Sequence, residues 1–191
     1  MYTVDVKVVG VAPVLQNRFP MPEFADMSRG GKKKTGSPDY SDEWREKFYA
    51  NKAGIFQPSS HFEAALVRTA ASFTIQGKRG KTYKDLFKAS VFVTPEEIPF
   101  NVPILDEPVF DADQPVYLTM YPVIVNRARV VRIRPALKTG WELEFNIECI
   151  DDQIHASLLQ DVLALAGKTC GVGDWRPRFG RFNVARFEVV K

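Results

Sequence analysis

The sequence predicts an α+β fold in the order strand, helix, strands, helix, strand. Three observations carry this. First, residues 2–9 set Tyr2, Val4, Val6 and Val8 against Thr3, Asp5 and Lys7, and residues 141–149 alternate Trp141, Leu143, Phe145, Ile147 and Cys149 with Glu142, Glu144, Asn146 and Glu148. A period of two marks a strand with one buried face. Second, residues 62–73 and 158–166 carry apolar side chains at helical spacing. Third, a glycine-rich loop leads into a last apolar stretch that runs through Val190. The order is that of the ferredoxin-like (RRM-like) βαββαβ sandwich, here with insertions.

The first strand is followed by a Pro-rich break from Pro13 to Pro22, with Asn17 and Arg18 directly after the strand. Residues 26–54 read as a flexible basic insertion. Ser28 to Ser37 is rich in Gly and Lys, with Lys32, Lys33 and Lys34 in a row, and charge runs of this kind are solvated. Within the insertion, Asp42 to Asn51 predicts a short helix with Trp44 and Phe48 at i,i+4 spacing. Ser60 followed by Glu63 is a capping-box pattern and opens the first long helix. Its apolar stripe is Phe62, Ala65, Leu66, Thr69, Ala70 and Phe73, with Arg68 off the stripe.

Residues 77–81 form a basic turn, and Leu86 to Val93 reads as a strand. Residues 94–115 are acidic and Pro-rich, an excursion from the sheet. Val116 to Tyr121 and Val123 to Ile133 read as strands on either side of Pro122, before a turn at Pro135 to Gly140. The second long helix, 155–166, buries Leu158, Leu159, Val162, Leu165 and Ala166 and stops at Gly167, a natural C′ residue.

With 191 residues, 45% apolar and 26% charged, the chain has the composition of one ordinary globular domain, read here as spanning 1–191. It lacks an apolar run of transmembrane length. MYTVDVKVVG does not resemble a secretory signal, so the expected location is the cytoplasm, with no membrane partner. Cys149 and Cys170 form no CxxC pair, which fits a reducing compartment and argues against a zinc site. No metal or cofactor is expected, and no Walker loop, HExxH or dinucleotide fingerprint is present.

Charge is unevenly distributed although the net value is only +3. Residues 126–138 carry Arg127, Arg129, Arg132, Arg134 and Lys138 without an acid, whereas 94–114 carry Glu96, Glu97, Asp106, Glu107, Asp111 and Asp113 without a base. A basic face is the electrostatic footprint of a phosphate backbone. In an ideal strand Arg127 and Arg129 share one face and Arg132 and Arg134 the other. A bulge at Val130–Val131 would unite them. Pairing with Glu142, Glu144 and Glu148 across strands is the competing reading.

The loop GVGDWRPRFGRFNV, residues 171–184, concentrates the chemistry. Gly171, Gly173 and Gly180 permit positive φ and close backbone approach. Arg176, Arg178 and Arg181 flank Trp175 and Phe179. Arginine grips phosphate in a bidentate fork and aromatics stack on bases. These residue types suit single-stranded nucleic acid, and Asn17 and Arg18 join them as candidate contacts. A plain turn, with the aromatics capping the core, is the bland alternative.

Two stretches also resemble a known family. IFQPSSHFEAALVR, residues 55–68, is similar to the (I/F)PxSSLKGALR helix opening of the RAMP superfamily, the ferredoxin-like proteins of CRISPR effector complexes. The 171–184 loop resembles that superfamily's glycine-rich loop before its final strand. The likeness is to backbone subunits that line a guide RNA, or to freestanding phage or prophage relatives. It implies a single RAMP-like domain that binds single-stranded RNA or DNA, with a homo-oligomer, a filament or other effector subunits as partners. It adds Ser59, Ser60 and Arg68 to the contacts and supports Arg176, Arg178 and Arg181.

The sequence thus reads as a non-catalytic nucleic-acid-binding protein. One alternative is a metal-independent RAMP-type endoribonuclease. Its catalytic candidates are His61 at the helix start, where the macrodipole disfavours protonation, and Asp26 after the first strand. Another is a phage-encoded structural subunit without nucleic-acid binding.

Overall fold

The computed structural model describes residues 1–19, 43–125 and 127–190. Asp26, Lys32, Lys33, Lys34 and most of the expected basic insertion lie outside the described residues.

Among the described residues the fold is α+β with antiparallel sheets. The principal sheet is formed by β1 (Tyr2–Gly10), β5 (Val91–Thr94), β9 (Glu142–Cys149) and β10 (Phe182–Val190), in the order β10-β1-β9-β5. Every neighbouring pair in it is antiparallel. Helices α2 (Ser59–Ala70) and α4 (Ala156–Thr169) pack on one another, α2 against β5 and α4 against β10. The alternation read from the sequence is what buries Val4, Val6, Val8, Leu143, Phe145 and Ile147 on one side. Phe62 of α2 meets Phe145 at 4.5 Å and Phe182 at 5.5 Å between ring centroids, which joins helix and sheet.

The opposite face of this sheet is the one that RRM-type domains give to RNA. It carries Asp5, Glu142, Glu144, Glu148 and Glu188 together with Lys7 and Arg186, Lys7 pairing in register with Glu144 on one side and Arg186 on the other. Lys7 lies 2.7 Å from Glu142 and 3.3 Å from Glu144, and Arg186 lies 2.9 Å from Asp5 and 3.1 Å from Glu144. Arg186 and then Lys7 hold the Glu144 carboxyl below its usual range. Carboxylates outnumber cations here, so this face repels phosphate. Glu142 and Glu144, two of the three glutamates in the competing reading of the central arginines, are thus taken by Lys7 and Arg186.

Two further sheets sit on this frame. β3 (Ala50–Asn51), β4 (Gly54–Pro58) and β6 (Glu97–Pro99) make a small one. β2 (Val14–Leu15) joins a long hairpin of β7 (Val116–Val125) and β8 (Ala128–Leu137). The two hairpin strands pair continuously from Val116↔Leu137 to Val125↔Ala128. The reading of two strands broken at Pro122 is therefore corrected: Pro122 and Pro135 sit inside the paired ribbon. The suggested bulge at Val130–Val131 is absent. Arg132 and Arg134 share one face of the ribbon, Arg129 takes the other, and Arg127 lies in the turn at φ 67°.

Other expectations are corrected as well. Leu86–Val93 is mostly helical, as α3 (Lys84–Ser90), and the strand begins at Val91. Phe87 and Ser90 are the residues this helix buries, three apart, so a short helix suits them. The helix predicted over Asp42–Asn51 shrinks to α1 (Glu43–Glu46). Trp44 and Phe48 are nonetheless fully buried, their rings 6.1 Å apart, so this part of the expected insertion belongs to the core. The capping box does not form: α2 starts at Ser59, and Glu63 Oε1 accepts the Val93 N–H instead. In α4 Leu163, not Leu165, completes the buried side, and Gly167 lies inside the helix. A Cβ there would meet the Phe182 carbonyl at 2.3 Å, so Gly167 permits helix–strand contact, and Gly171 at φ +73° ends the helix.

Among the described residues no helix is long and apolar enough to cross a membrane. The joint at Phe62 yields a test. Phe62→Ala should cost about 3–5 kcal/mol in urea unfolding, while Phe92→Ala, at a half-exposed position, should cost less than about 1 kcal/mol.

Candidate nucleic-acid interface

The loop between α4 and β10 is placed by backbone hydrogen bonds to the segment around β2. Asp174 N–H donates to Leu15 O and Gly180 N–H to Pro13 O, both at 2.8 Å, and Val172 N–H donates to Gly180 O at 2.9 Å. At Gly180, φ +72°, a Cβ would lie 1.7 Å from Val172 O. Gly173 likewise presses on the Leu15 carbonyl. The glycines Gly171, Gly173 and Gly180 thus serve close packing, and the N–H groups of Val172, Asp174 and Gly180 are already used. Those three groups are therefore not offered to an anion.

The side chains of the loop turn toward the hairpin. Phe179 is buried with Leu15, Tyr117 and Ala136, and Tyr121 packs against the cluster. Trp175 stays 41% exposed. Tyr121 meets it edge-on at 5.0 Å and Phe179 at 5.6 Å. The Arg178 guanidinium sits 5.8 Å from the Trp175 ring centroid and that of Arg134 at 6.0 Å, at the outer range of cation–π contact. An indole half in water, fixed by two rings and flanked by two guanidinium groups, is a stacking platform.

Arg134 is anchored by Asp174, Nε to Oδ2 at 2.6 Å, and its Nη1 is buried without a hydrogen-bond partner among the described residues. Alongside runs a groove of about 380 Å³ lined by Asn17, Arg18, Lys47, Val123, Arg132 and Arg134. The structure therefore gathers Asn17, Arg18, Arg132, Arg134, Trp175, Arg178 and Phe179 on one side of the hairpin. Arg176 and Arg181 are exposed on the same loop.

Other candidates fall elsewhere. Ser59 is buried and its N–H donates to Glu96 O, whereas Ser60 is exposed at the helix start. Arg68 lies seven residues beyond His61, about 10 Å along the helix axis. Arg127 and Arg129 occupy the hairpin tip, away from the aromatic loop. Lys47, Tyr121 and Asp174 were not singled out from the sequence. Tyr121 could have been found once the hairpin register paired it with Arg132.

His61 borders the loop. Gln57 Nε2 lies 2.5 Å from its Nδ1, and the Tyr49 ring meets the imidazole edge-on at 5.4 Å. With the Gln57 amide donating, the ring proton resides on Nε2. Burial, and secondarily Arg176, push its pKa below the ordinary value, against a smaller opposing pull from Asp174. Among the described residues no group of three or more His, Cys, Asp or Glu side chains is placed to hold a metal ion.

No protein-family model and no curated protein matches the chain. Solved structures do. A chain from the cryo-EM structure of the Type III-B Cmr-beta bound to cognate target RNA aligns over 100% of this chain at TM-score 0.54 and 12% identity. The alignment covers 61% of that larger chain, so the present chain spans about three fifths of its length. Cmr6 from Pyrococcus furiosus aligns over 95% of this chain and 97% of its own, at TM-score 0.48 and 10% identity. The resemblance to RAMP-superfamily subunits read from the helix opening and the loop thus holds at the level of fold.

The half-buried imidazole has a measurable signature. Its folded-state pKa lies below the unfolded 6.5, so its contribution to stability is present above 6.5 and lost as pH falls through the folded value. His61→Gln should therefore flatten the acid limb of the stability–pH curve measured by urea unfolding. An unchanged limb would show that His61 titrates as it does in the unfolded chain.

Proposed function

We propose that the chain binds single-stranded nucleic acid, RNA in particular, without cleaving it. The strand lies along the face of the hairpin that carries Arg132 and Arg134. A base stacks on Trp175, and phosphates meet Arg18, Arg134 and Arg178. The observation that carries this reading is the half-exposed Trp175 indole, held by Tyr121 and Phe179 and flanked by the Arg134 and Arg178 guanidinium groups. Two further facts support it. The acidic open face of the main sheet leaves the hairpin side as the more favourable route for a polyanion. The similar Cmr-beta structure is of a complex bound to target RNA.

The sheet order β10-β1-β9-β5, with helices between β1 and β5 and between β9 and β10, fits a ferredoxin-like core. We read the hairpin and the small β3-β4-β6 sheet as additions to it, within one RAMP-like domain. Binding without cleavage agrees with the setting of His61, whose Nδ1 faces Gln57 and whose ring edge faces Tyr49. Other effector subunits are the natural further partners for such a domain.

Fluorescence anisotropy with a labelled oligouridine tests the proposal. Affinity should fall steeply between about 50 and 200 mM salt. Trp175→Ala should weaken binding by roughly 5- to 150-fold, the loss of one stacked base at about 1–3 kcal/mol. Arg68→Ala should change it less than about twofold, since an isolated exposed charge contributes little. Absence of binding at low salt, or an unaltered affinity in Trp175→Ala, would overturn the assignment.

A further inference from the structure

Two surfaces lie outside the proposed nucleic-acid path. One is the hairpin face on which Met120, Ile124 and Val131 are exposed. The other is the free edge of the principal sheet, and the residues of that edge specify what covers it. The sheet ends on β5 at one side and on β10 at the other. β5 is four residues long and runs directly into Pro95, which blunts it as a template for pairing. β10 is nine residues long, holds neither Pro nor Lys, and pairs only with β1 among the described residues. Its outward N–H and C=O groups therefore form a row without strand partners.

The register with β1 sorts the side chains of this edge. Arg186, Glu188 and Val190 lie opposite Lys7, Asp5 and Thr3 on the open face, whereas Phe187 and Val189 lie opposite Val6 and Val4 on the core side. Val4 and Val6 are fully buried, yet Phe187 is only half-buried and Val189 is 57% exposed. The missing neighbour strand accounts for the difference. Beside the edge, a groove of about 410 Å³ lies between β10 and Gln160, Ala164 and Lys168 of α4.

A second copy of the strand matches this edge. Laid antiparallel about a two-fold axis at Phe187, Arg186 faces the partner's Glu188, and Glu188 faces the partner's Arg186. On the core side Phe187 meets the partner's Phe187, and Ala185 meets the partner's Val189. Moving the axis by one residue sets Arg186 against itself or Glu188 against itself, and like charges directly opposite are destabilising. An axis between residues would oppose core-side to open-face side chains. The charge pattern thus selects one register. Both groups are ready for it. The hydrogen bonds of Arg186 to Asp5 and Glu144 use Nη2, which leaves Nη1 for a third carboxylate, and Glu188 forms no ion pair among the described residues.

We propose that two copies of the chain pair edge to edge along β10, so that one sheet runs through both. The contact is isologous and closed, since each copy offers the same strand. Main-chain hydrogen bonds supply it, as in strand addition, and the groove beside α4 receives the core-side residues of the partner strand. It rests on neither the hairpin nor bound nucleic acid.

Sedimentation velocity and amide hydrogen exchange of the full chain, free of nucleic acid, from low to high micromolar concentration, test the proposal. Wild-type protein should pass from monomer to dimer. In the dimer the outward amides of residues 185–189 should exchange at least about tenfold more slowly, with those of β5 unchanged. Glu188→Arg should weaken dimerisation at least about tenfold, because the substitution acts twice across the axis. Its circular dichroism should match wild type, since Glu188 is exposed. Val189→Lys, an edge lysine at an exposed position, should weaken the dimer as well. A chain that stays monomeric at every concentration, β10 amides that exchange alike at low and high concentration, or a dimer indifferent to Glu188→Arg would overturn the proposal.

Discussion

The close contact of two backbones at Gly180 is the constraint on which the candidate site depends. Only a residue without a Cβ at positive φ lets the Val172 carbonyl come so near, and that approach closes the loop on itself. The loop is then tied to the β2 region through Pro13 and Leu15. Everything else in the site follows from this placement. Phe179 reaches the pocket formed by Leu15, Tyr117 and Ala136, Asp174 reaches Arg134, and Trp175 is left at the surface. A loop held only by side chains would lose the indole to the core or to disorder.

Charge is sorted by the fold in a way that composition alone conceals. A chain of net charge +3 presents an acidic, internally paired sheet face and a basic ribbon face. The ribbon separates its own chemistry further, because alternation sends Arg132 and Arg134 one way and Arg129 the other. Its aromatic-basic side and its apolar side are therefore independent surfaces that can be altered one at a time.

Much of this was legible in the sequence, and the reasons are local. The period-2 patterns of β1 and β9 and the stripe of α2 are legible because each faces one core with one side. The importance of 171–184 was visible because Gly, Arg and aromatic residues are seldom so interleaved. What escaped depended on distant partners. The segment at 84–90 reads equally as strand or helix, since a short apolar run lacks a decisive period. Glu63 was assigned to a cap at its own helix end, yet it bonds the Val93 amide on β5. Two prolines disguised an unbroken hairpin. Gly167 looked like a stop signal, although its function is to admit Phe182. The phase of the arginines depends on strand pairing, and only the hairpin register decides it.

The three tryptophans have very different surroundings. Trp44 and Trp141 are buried, the latter donating its indole N–H to Ala12 O, while Trp175 stands half in solvent. Emission from the first two reports on the interior, and only the third is open to a dissolved collisional quencher. The protein thus carries an intrinsic optical probe at the loop, whose shielding can be followed without attaching any label.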